Sequence, residues 1–384
     1  MNQHKIINNI SVRYEELETG GYLLVVGLDR EKALNALTLE MINRLLEVFE
    51  EIEKNPDILV VWLESTSEKS FCSGGDVVKL TDGGKVGGLS DLTYASDYLA
   101  SEYTLDYLIT LCQKPVIAWG NGFILGGGMG LFQGARVRVI TEESTLAMPE
   151  TRIGFIPDCG ASQFLHKVPY GLGLAISMTG ASISPTDALY LDLADWLVPK
   201  GEKYALIKAV KSFDWYNSTL ALNALGAVLN HATSESKYMG PWELCGRRIA
   251  NSIRHSEPRA GLNKLFQWIK DEPELADNID EISPGAALLA GWQFRRTMHA
   301  SFSTCLVSEH DIAMKVLVSG DWCEGVRALL VDKDRQPKWC HNAVDDVGDA
   351  WVLSLLKPSE YVGQHPVKQV MRKMGLLEFV EENL

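Results

Sequence analysis

Two glycine clusters, each beside an apolar run, limit most strongly how this chain can fold. Residues 71–76 read FCSGGD, and residues 122–130 read GFILGGGMG. Neither has the spacing of a phosphate-binding loop. A glycine run directly before a helix removes side chains from the first turn, so backbone N–H groups and the positive end of the helix dipole stay open to a ligand. Tight turns and close helix packing are the alternative explanation for either cluster alone.

Both clusters in one chain favour a shared role in binding an oxyanion. Two N–H groups that converge from different loops form an oxyanion hole, which contributes about 3 to 4 kcal/mol to transition-state stabilisation in a dry site. We therefore expect each cluster to provide one backbone donor.

The surrounding pattern predicts an α/β fold for residues 1–200 and a mostly helical region for residues 201–384. Two strands are expected on either side of Gly20-Gly21, and Thr38 is a candidate cap for a helix with regularly spaced apolar residues. Beyond residue 200 the sequence pattern changes and predicts mostly helices, one of which begins at Ser283-Pro284. Further strands are predicted at residues 58–65, 116–119 and 136–141, and a further helix at residues 203–211.

Charge and cysteine content exclude several classes of function. The formal net charge of −14 disfavours broad contact with nucleic acid or an anionic membrane surface. Seven scattered cysteines without a CxxC pair argue against a disulfide framework and a structural zinc site. The first residues lack the pattern of a signal or transit peptide, and no apolar run has membrane-spanning length. We expect a cytoplasmic protein with a small-molecule substrate, and a homo-oligomer is one possible assembly.

Several motifs resemble the enoyl-CoA hydratase/isomerase, or crotonase, superfamily. They occur in the order LDREKALNALTLEM, FCSGGD, KPVIAWGNGFILGGGMGL, LAMPETRIGFIPDCGAS and LADWLV, within about residues 10–200. The resemblance implies a spiral of ββα units that binds an acyl-CoA thioester. It also implies oxyanion donors at the Ser73 and Gly127 backbones, with Gly74, Gly75 and Gly126 beside the substrate. Coenzyme A is then part of the substrate, and no separate cofactor is expected.

The acidic residues limit the reaction within this superfamily. Its hydratases carry one glutamate two residues after the GGG run, where this chain has Gly130, and a second in a PE dipeptide, matched by Glu150. Hydration needs two groups that manage one water, so a poor hydratase is expected. Asp158 follows in IGFIPD. A lone acidic residue is usually solvated or a cap, but flanking apolar residues would raise the carboxyl pKa values and favour proton transfer.

A second resemblance lies outside the superfamily core. Residues 321–339, DWCEGVRALLVDKDRQPKW, resemble the C-terminal signature of the 3-hydroxyisobutyryl-CoA hydrolase branch. This resemblance implies catalytic roles for Glu150 and Asp158, and places Glu102 beside the substrate. Arg30 and Lys32 lie where the family approaches the CoA phosphates, although a solvated surface pair would have the same sequence.

The expected reaction is hydrolysis of a short 3-hydroxyacyl-CoA thioester, with 3-hydroxyisobutyryl-CoA, an intermediate of valine catabolism, as the main candidate. Glu150 acts either as a general base or as a nucleophile, and the residues leave this open. A thiol nucleophile at Cys72 or Cys159 is disfavoured because no histidine is paired with either motif. No metal-ligand spacing is present among the eight histidines, so no metal is expected. An enoyl-CoA isomerase or hydratase and a catalytically silent acyl-CoA-binding protein are the alternatives.

Overall fold

The computed structural model of the chain describes residues 4–81, 92–233, 239–253, 255–271, 275, 279–361 and 364–376. It contains two compact units that are each discontinuous in sequence. The sheet unit comprises Met1–Gly75, Leu105–Leu146 and Ile183–Gly240, and the helical unit comprises Asp76–Thr104, Ala147–Ser182 and Pro241–Leu384. The predicted division after residue 200 does not separate these units, because residues 201–240 continue the sheet unit.

A seven-stranded sheet forms the centre of the sheet unit. Its strands lie in the order β1-β2-β3-β4-β6-β8-β10, and a smaller sheet has the order β5-β7-β9. The first three strands of the large sheet are antiparallel, whereas β3 to β10 pair in parallel. The strand bounds are β1 His4–Ile7, β2 Ile10–Glu16, β3 Tyr22–Leu28, β4 Ile58–Ser65, β5 Ser70–Cys72, β6 Val116–Gly120, β7 Phe123–Leu125, β8 Val137–Ile140, β9 Thr145–Ala147 and β10 Trp196–Leu197.

Local sequence signals explain the start of this sheet. Gly20 and Gly21 have φ values of 94° and 79°, which suit glycine, and they turn the chain from β2 into β3. Thr38 Oγ1 then accepts a hydrogen bond from the Met41 N–H and caps helix α1, Leu39–Lys54. The buried face of α1 contains Ile42, Leu45, Leu46, Phe49 and Ile52. The predicted strands, cap and helix in this region are therefore confirmed.

The chain alternates between the two sheets in a repeating pattern. Strands β4, β6 and β8 of the large sheet are each followed by one strand of the small sheet, β5, β7 or β9. A helix follows the pair β6-β7 directly, namely α4, Gly127–Gly134. This is the predicted spiral of ββα units, and it places both glycine clusters directly after strands of the small sheet.

Helices form most of the remaining described residues, and those after residue 200 contain no strand. Ser283 Oγ accepts from the Ala286 N–H, which confirms the predicted helix start at Ser283-Pro284. No helix in the described ranges is long and apolar enough to cross a membrane. The other helices are α2 Val77–Leu80, α3 Leu92–Leu111, α5 Ala161–Phe164, α6 Gly173–Thr179, α7 Pro185–Tyr190, α8 Lys203–Ser212, α9 Ser218–Ala232, α10 Pro241–Ile253, α11 Pro258–Asp271, α12 Pro284–Arg296, α13 Phe302–Val316, α14 Gly320–Val326, α15 Asp349–Leu356 and α16 Pro366–Lys373.

Candidate active site

The two glycine clusters pack against each other within the sheet unit. A Cβ atom at Gly74 would lie 3.2 Å from the Leu125 carbonyl oxygen, and one at Gly128 only 2.5 Å from the Cys72 carbonyl oxygen. Gly74 also has a φ of 100°, and Gly126 combines a φ of 52° with a ψ of −123°. Side chains at these positions would clash or strain the backbone, so glycine is needed for the loops to approach.

One of the two predicted oxyanion donors is already engaged. The Ser73 N–H donates to the Leu34 carbonyl at 3.0 Å, so the prediction that Ser73 supplies a free donor is wrong. Gly75 pairs with Leu37 as a parallel bridge, in which the Leu37 N–H donates to the Gly74 carbonyl at 2.8 Å and not to Gly75. No hydrogen bond within the described ranges uses the N–H of Gly75 or Gly127. Gly127 is the first residue of α4, where the N–H has no partner in the helix.

Glu150 lies in the helical unit, at the start of a 3₁₀ turn that covers Glu150–Ile153. Its side chain is buried, and Oε2 has no hydrogen-bond partner among the described residues. Burial and the nearby Asp158 charge raise the pKa of Glu150 well above its usual range, with smaller contributions from Glu102 and Glu309. A buried carboxyl group with one unengaged oxygen is suited to act on a water molecule or a substrate atom.

Asp158 is buried in the same unit and holds a specific contact. The Tyr103 hydroxyl donates to Asp158 Oδ2 at 2.6 Å. Burial raises the pKa of Asp158 to about 6, although hydrogen bonds from Tyr103 and Cys159 oppose that rise. Both Asp158 and Glu150 thus keep their protons to a higher pH than free carboxyl groups do, and their contacts differ, since only Asp158 accepts from Tyr103.

Glu102 completes the predicted set of acidic residues. It is buried, and burial together with the Asp158 charge raises its pKa to about 8. The Cys159 thiol hydrogen-bonds to Glu102 as well as to Asp158, so it links the two carboxyl groups. The structure thus brings Glu102, Glu150 and Asp158 into one buried acidic cluster.

Glu309 is a fourth member of this cluster that sequence reasoning missed. Helix α13 carries it, and its side chain is fully buried. Its two carboxylate oxygens accept from the N–H groups of Gly160 and Ser162, at 2.9 and 2.8 Å. Burial nevertheless raises the pKa of Glu309 to about 8. It lies about 150 positions from its partners along the chain, so no local sequence signal could have identified it.

The C-terminal signature packs directly against the segment that carries Glu150. The Trp322 ring lies 4.9 Å from the Phe155 ring, measured between centroids. A Cβ at Gly325 would lie 2.5 Å from the Ile153 Cα, and one at Gly154 would lie 2.4 Å from the Asp321 carbonyl oxygen. The signature therefore supports the catalytic segment through close backbone contacts.

A carboxylate fills the space beside Gly130. A Cβ atom at this position would lie 2.7 Å from both Asp106 carboxylate oxygens, and the Asp106 side chain is buried. The position that carries a glutamate in the hydratases is therefore not an empty space in this chain, because the acidic side chain of another residue occupies it.

Most of the remaining predicted residues are in the sheet unit. The Arg30 guanidinium donates to the Ala36 carbonyl at 2.7 Å and so stabilises its own turn, whereas Lys32 is exposed. Cys72, in the sheet unit, and Cys159, in the helical unit, are both buried. Contact of Arg30 and Lys32 with CoA phosphates stays a prediction.

Comparisons with known proteins agree with this fold. Residues 23–356 match the family model described as enoyl-CoA hydratase/isomerase. The chain is 31% identical to a mitochondrial 3-hydroxyisobutyryl-CoA hydrolase of Gallus gallus, over 89% of this chain and 88% of that protein. It is also 31% identical to 3-hydroxyisobutyryl-CoA hydrolase 1 of Arabidopsis thaliana, over 85% of this chain and 87% of that protein.

Solved structures give the same result. An enoyl-CoA hydratase from Rhodobacter sphaeroides matches with a TM-score of 0.74 and 26% identity, over 90% of this chain and 97% of that one. A carnitinyl-CoA dehydratase from Mycobacterium thermoresistibile matches with a TM-score of 0.78 and 28% identity, over 92% and 98%. With the family model matched across residues 23–356, this chain belongs to the enoyl-CoA hydratase/isomerase family.

Proposed function

We propose that this protein hydrolyses the thioester of a short 3-hydroxyacyl-CoA, with 3-hydroxyisobutyryl-CoA as the main candidate and valine catabolism as its setting. The observation that carries the proposal is the buried cluster of Glu102, Glu150 and Asp158, whose Glu150 segment is held by the C-terminal signature. The names of the chicken and Arabidopsis relatives support the same substrate class.

The oxyanion donors in this proposal are the N–H groups of Gly75 and Gly127. They would donate to the thioester oxygen and bind it more strongly as negative charge develops on it. Gly75 replaces Ser73 in this role because the Ser73 N–H is bonded to Leu34. Gly74 and Gly126 would allow the loops to approach the substrate without side chains.

Glu150 and Asp158 would carry the proton transfers. In its ionised form, Glu150 either takes a proton from the attacking water or attacks the carbonyl carbon and forms an anhydride that water then cleaves. In both routes the C–S bond breaks, and a protonated carboxyl group of the cluster gives its proton to the departing CoA thiolate. Glu102 and Asp158 are the candidates for that proton and for binding the 3-hydroxyl group.

Glu150 must lose its proton before either route begins. Because neighbouring charges and burial raise its pKa, the ionised form becomes scarcer as the pH falls. A bound substrate that displaces one proton from the cluster would favour the active form. The raised pKa also makes the conjugate acid a suitable proton donor later in the cycle.

An enoyl-CoA isomerase is the second candidate, since a single shuttling carboxyl group such as Glu150 is sufficient for it. A purified sample incubated with 3-hydroxyisobutyryl-CoA, 3-hydroxypropionyl-CoA, crotonyl-CoA and a 3-enoyl-CoA separates the possibilities. We expect thiol release from the two 3-hydroxyacyl substrates and negligible hydration of crotonyl-CoA. Alkene migration or hydration without thiol release would assign the isomerase or hydratase reaction instead, and no reaction with tight binding would assign a silent binder.

Contacts with coenzyme A, other partners, location and assembly are also part of the proposal. Coenzyme A is part of the substrate, and Arg30 and Lys32 are candidates for contact with its phosphates. The negative net charge speaks against nucleic-acid partners. A cytoplasmic location and a homo-oligomer stay proposals, and the chicken relative carries the word mitochondrial in its name.

A further inference from the structure

Asp158 is fixed from two sides, and neither contact is predicted by the sequence motifs. On the carboxylate side, Tyr103 Oη donates to Oδ2 at 2.6 Å, and both residues are buried. This length is typical of an O–H donor bonded to an ionised oxygen. The bond occupies one lone pair of Oδ2 and restricts the rotation of the group.

On the backbone side, Glu309 fixes the turn that follows Asp158. It accepts from the N–H groups of Gly160 and Ser162, while the Ala161 N–H donates to the Asp158 carbonyl at 2.9 Å. Within this turn Cys159 has a φ of 53°, which is unfavourable for a residue with a side chain. The two Glu309 bonds hold the turn in this conformation and thereby fix the direction in which Asp158 leaves the backbone.

Helix α13 provides Glu309 directly, and its next residue, His310, contacts Tyr103, which belongs to α3. The His310 ring meets the Tyr103 ring edge-on, with 6.4 Å between centroids. Burial and the neighbouring His365 lower the pKa of His310 to about 4, so the ring is neutral at ordinary pH. It is itself held by contacts of 3.3 Å from Nε2 to Ser96 Oγ and from Nδ1 to the Tyr361 hydroxyl.

A metal site is the alternative explanation for the group of His310, Asp311 and His365, because these residues offer ligand atoms within 4.8 Å of one another. Their hydrogen bonds do not fit a metal. His365 Nδ1 accepts from the Val367 N–H at 3.2 Å, so the proton of the neutral ring is on Nε2. That Nε2 lies 3.4 Å from Asp311 Oδ1. A metal would need the lone pair at that nitrogen, whereas the Tyr361 hydroxyl contacts His310 Nδ1 and donates to Asp311 Oδ1, so the group is better explained as support for His310.

We propose that Tyr103, packed against His310 of α13, positions the Asp158 carboxylate and that Glu309 of α13 positions the turn that follows it, which makes Tyr103 and Glu309 positioning residues of the hydrolase site. This inference rests on the proposed function. The titratable groups facing Asp158 are Tyr103 and Glu102 from α3, Glu150 from its 3₁₀ turn, Cys159 from its own turn and Glu309 from α13.

The first test is Tyr103→Phe, which keeps the ring and removes the hydroxyl group. The carboxyl carbon of Asp158 is followed by NMR in protein labelled at the aspartate carboxyl carbons, and Asp158→Asn identifies its signal. The lost bond should raise the pKa of Asp158 by about one unit and lower kcat by about ten- to a hundredfold with little change in KM. Tyr94→Phe, on the same helix, is the matched control and should leave both the titration and kcat unchanged.

Glu309→Gln provides a second variant. An amide has one acceptor oxygen and a donor NH₂, so it can serve only one of the two N–H groups. We expect a lower kcat and, as for Tyr103→Phe, a shift of the pH at which kcat/KM declines. A purely structural role would lower the melting temperature and leave the kinetics of the folded protein normal, and that result in both variants overturns the inference.

The titration also separates this inference from the proposed function. If the wild-type protein releases no thiol from any CoA thioester but the Asp158 signal shifts in Tyr103→Phe, the proposed hydrolase function is wrong and the positioning of Asp158 stands. If the wild-type protein is active and the Tyr103→Phe signal titrates like the wild type, the positioning inference is wrong and the function stands.

Discussion

Gly130→Ala should destabilise this protein, although alanine is the better helix former. Gly130 lies within α4, where replacement of glycine by alanine ordinarily stabilises a helix by about 1 kcal/mol. Here the new methyl group would lie 2.7 Å from both Asp106 carboxylate oxygens and 2.8 Å from Asp106 Cγ. Because both residues are buried, neither can move aside into solvent.

The steric cost should exceed the gain in helix propensity. Overpacking of a buried site by one methyl group costs about 1 to 3 kcal/mol. After subtraction of about 1 kcal/mol for propensity, Gly130→Ala should lower the free energy of unfolding by about 0 to 2 kcal/mol. If the Asp106 side chain is the obstacle, combining Gly130→Ala with Asp106→Ala should be less harmful than the sum of the single changes, by about 1 to 2 kcal/mol.

Urea unfolding of the wild type, both single variants and the double variant measures this coupling. Gly226→Ala is the matched control, because Gly226 lies in helix α9 of the same unit and an added Cβ would meet no atom within 4 Å. The control should gain up to about 1 kcal/mol. A Gly130→Ala protein as stable as Gly226→Ala, or a double variant with no coupling, would refute the steric argument.

The position of Asp106 beside Gly130 also predicts the effect of a glutamate at residue 130 on activity. Restoring the hydratase glutamate as Gly130→Glu should not produce crotonyl-CoA hydration while Asp106 keeps its full side chain, since the two carboxyl groups would compete for one space. Hydration that appears in Gly130→Glu alone would mean that the new side chain finds another path.

The other predictions concern the acidic cluster and its support. Glu150→Gln should abolish thioester hydrolysis while CoA-ester binding persists, as turnover and calorimetric binding on one preparation would reveal; near-normal turnover removes Glu150 from the mechanism. Asp158→Asn should lower kcat and kcat/KM by similar factors, about tens to thousands of fold, whereas a normal kcat with a lower melting temperature would indicate a structural cap. Because burial and Asp158 raise the pKa of Glu150, kcat/KM should fall as the pH drops through that pKa, and a kcat/KM profile without any decline on the acid side contradicts this. Trp322→Ala should destabilise the protein by about 3 to 5 kcal/mol and reduce kcat through loss of its Phe155 contact; normal stability and kcat in this variant would remove Trp322 from the support of Glu150.

Elements specified by adjacent residues could be predicted from the sequence. The Thr38 cap needs only an acceptor side chain before an apolar pattern, and the turn between β2 and β3 needs only two adjacent glycines with positive φ. The acidic cluster was predictable for another reason, because the family resemblance assigned Glu102, Glu150 and Asp158 residue by residue.

Features that depend on distant partners could not be predicted. The FCSGGD motif alone does not show whether Ser73 or Gly75 offers its N–H to a ligand, and only the Leu34 carbonyl, which comes from an earlier turn, distinguishes them. Glu309 looks like an ordinary acidic residue of a helix until its contact with Gly160 is known. In the same way, Gly130 suggests a missing side chain, whereas the structure places Asp106 in that space.

The C-terminal signature acts on the chemistry through the backbone of the Glu150 segment. Asp321 Oδ2 accepts from the Ser283 hydroxyl at 2.6 Å, and the Ser283 N–H donates to the Thr151 carbonyl at 3.0 Å. This chain of bonds ends one residue from Glu150, on a turn whose Gly154 also contacts Asp321. The buried Glu150 carboxyl group has no hydrogen bond at Oε2 among the described residues, so no side chain holds that oxygen in place. Its position must therefore come from the backbone, which is why a signature far away in sequence belongs to the hydrolase site.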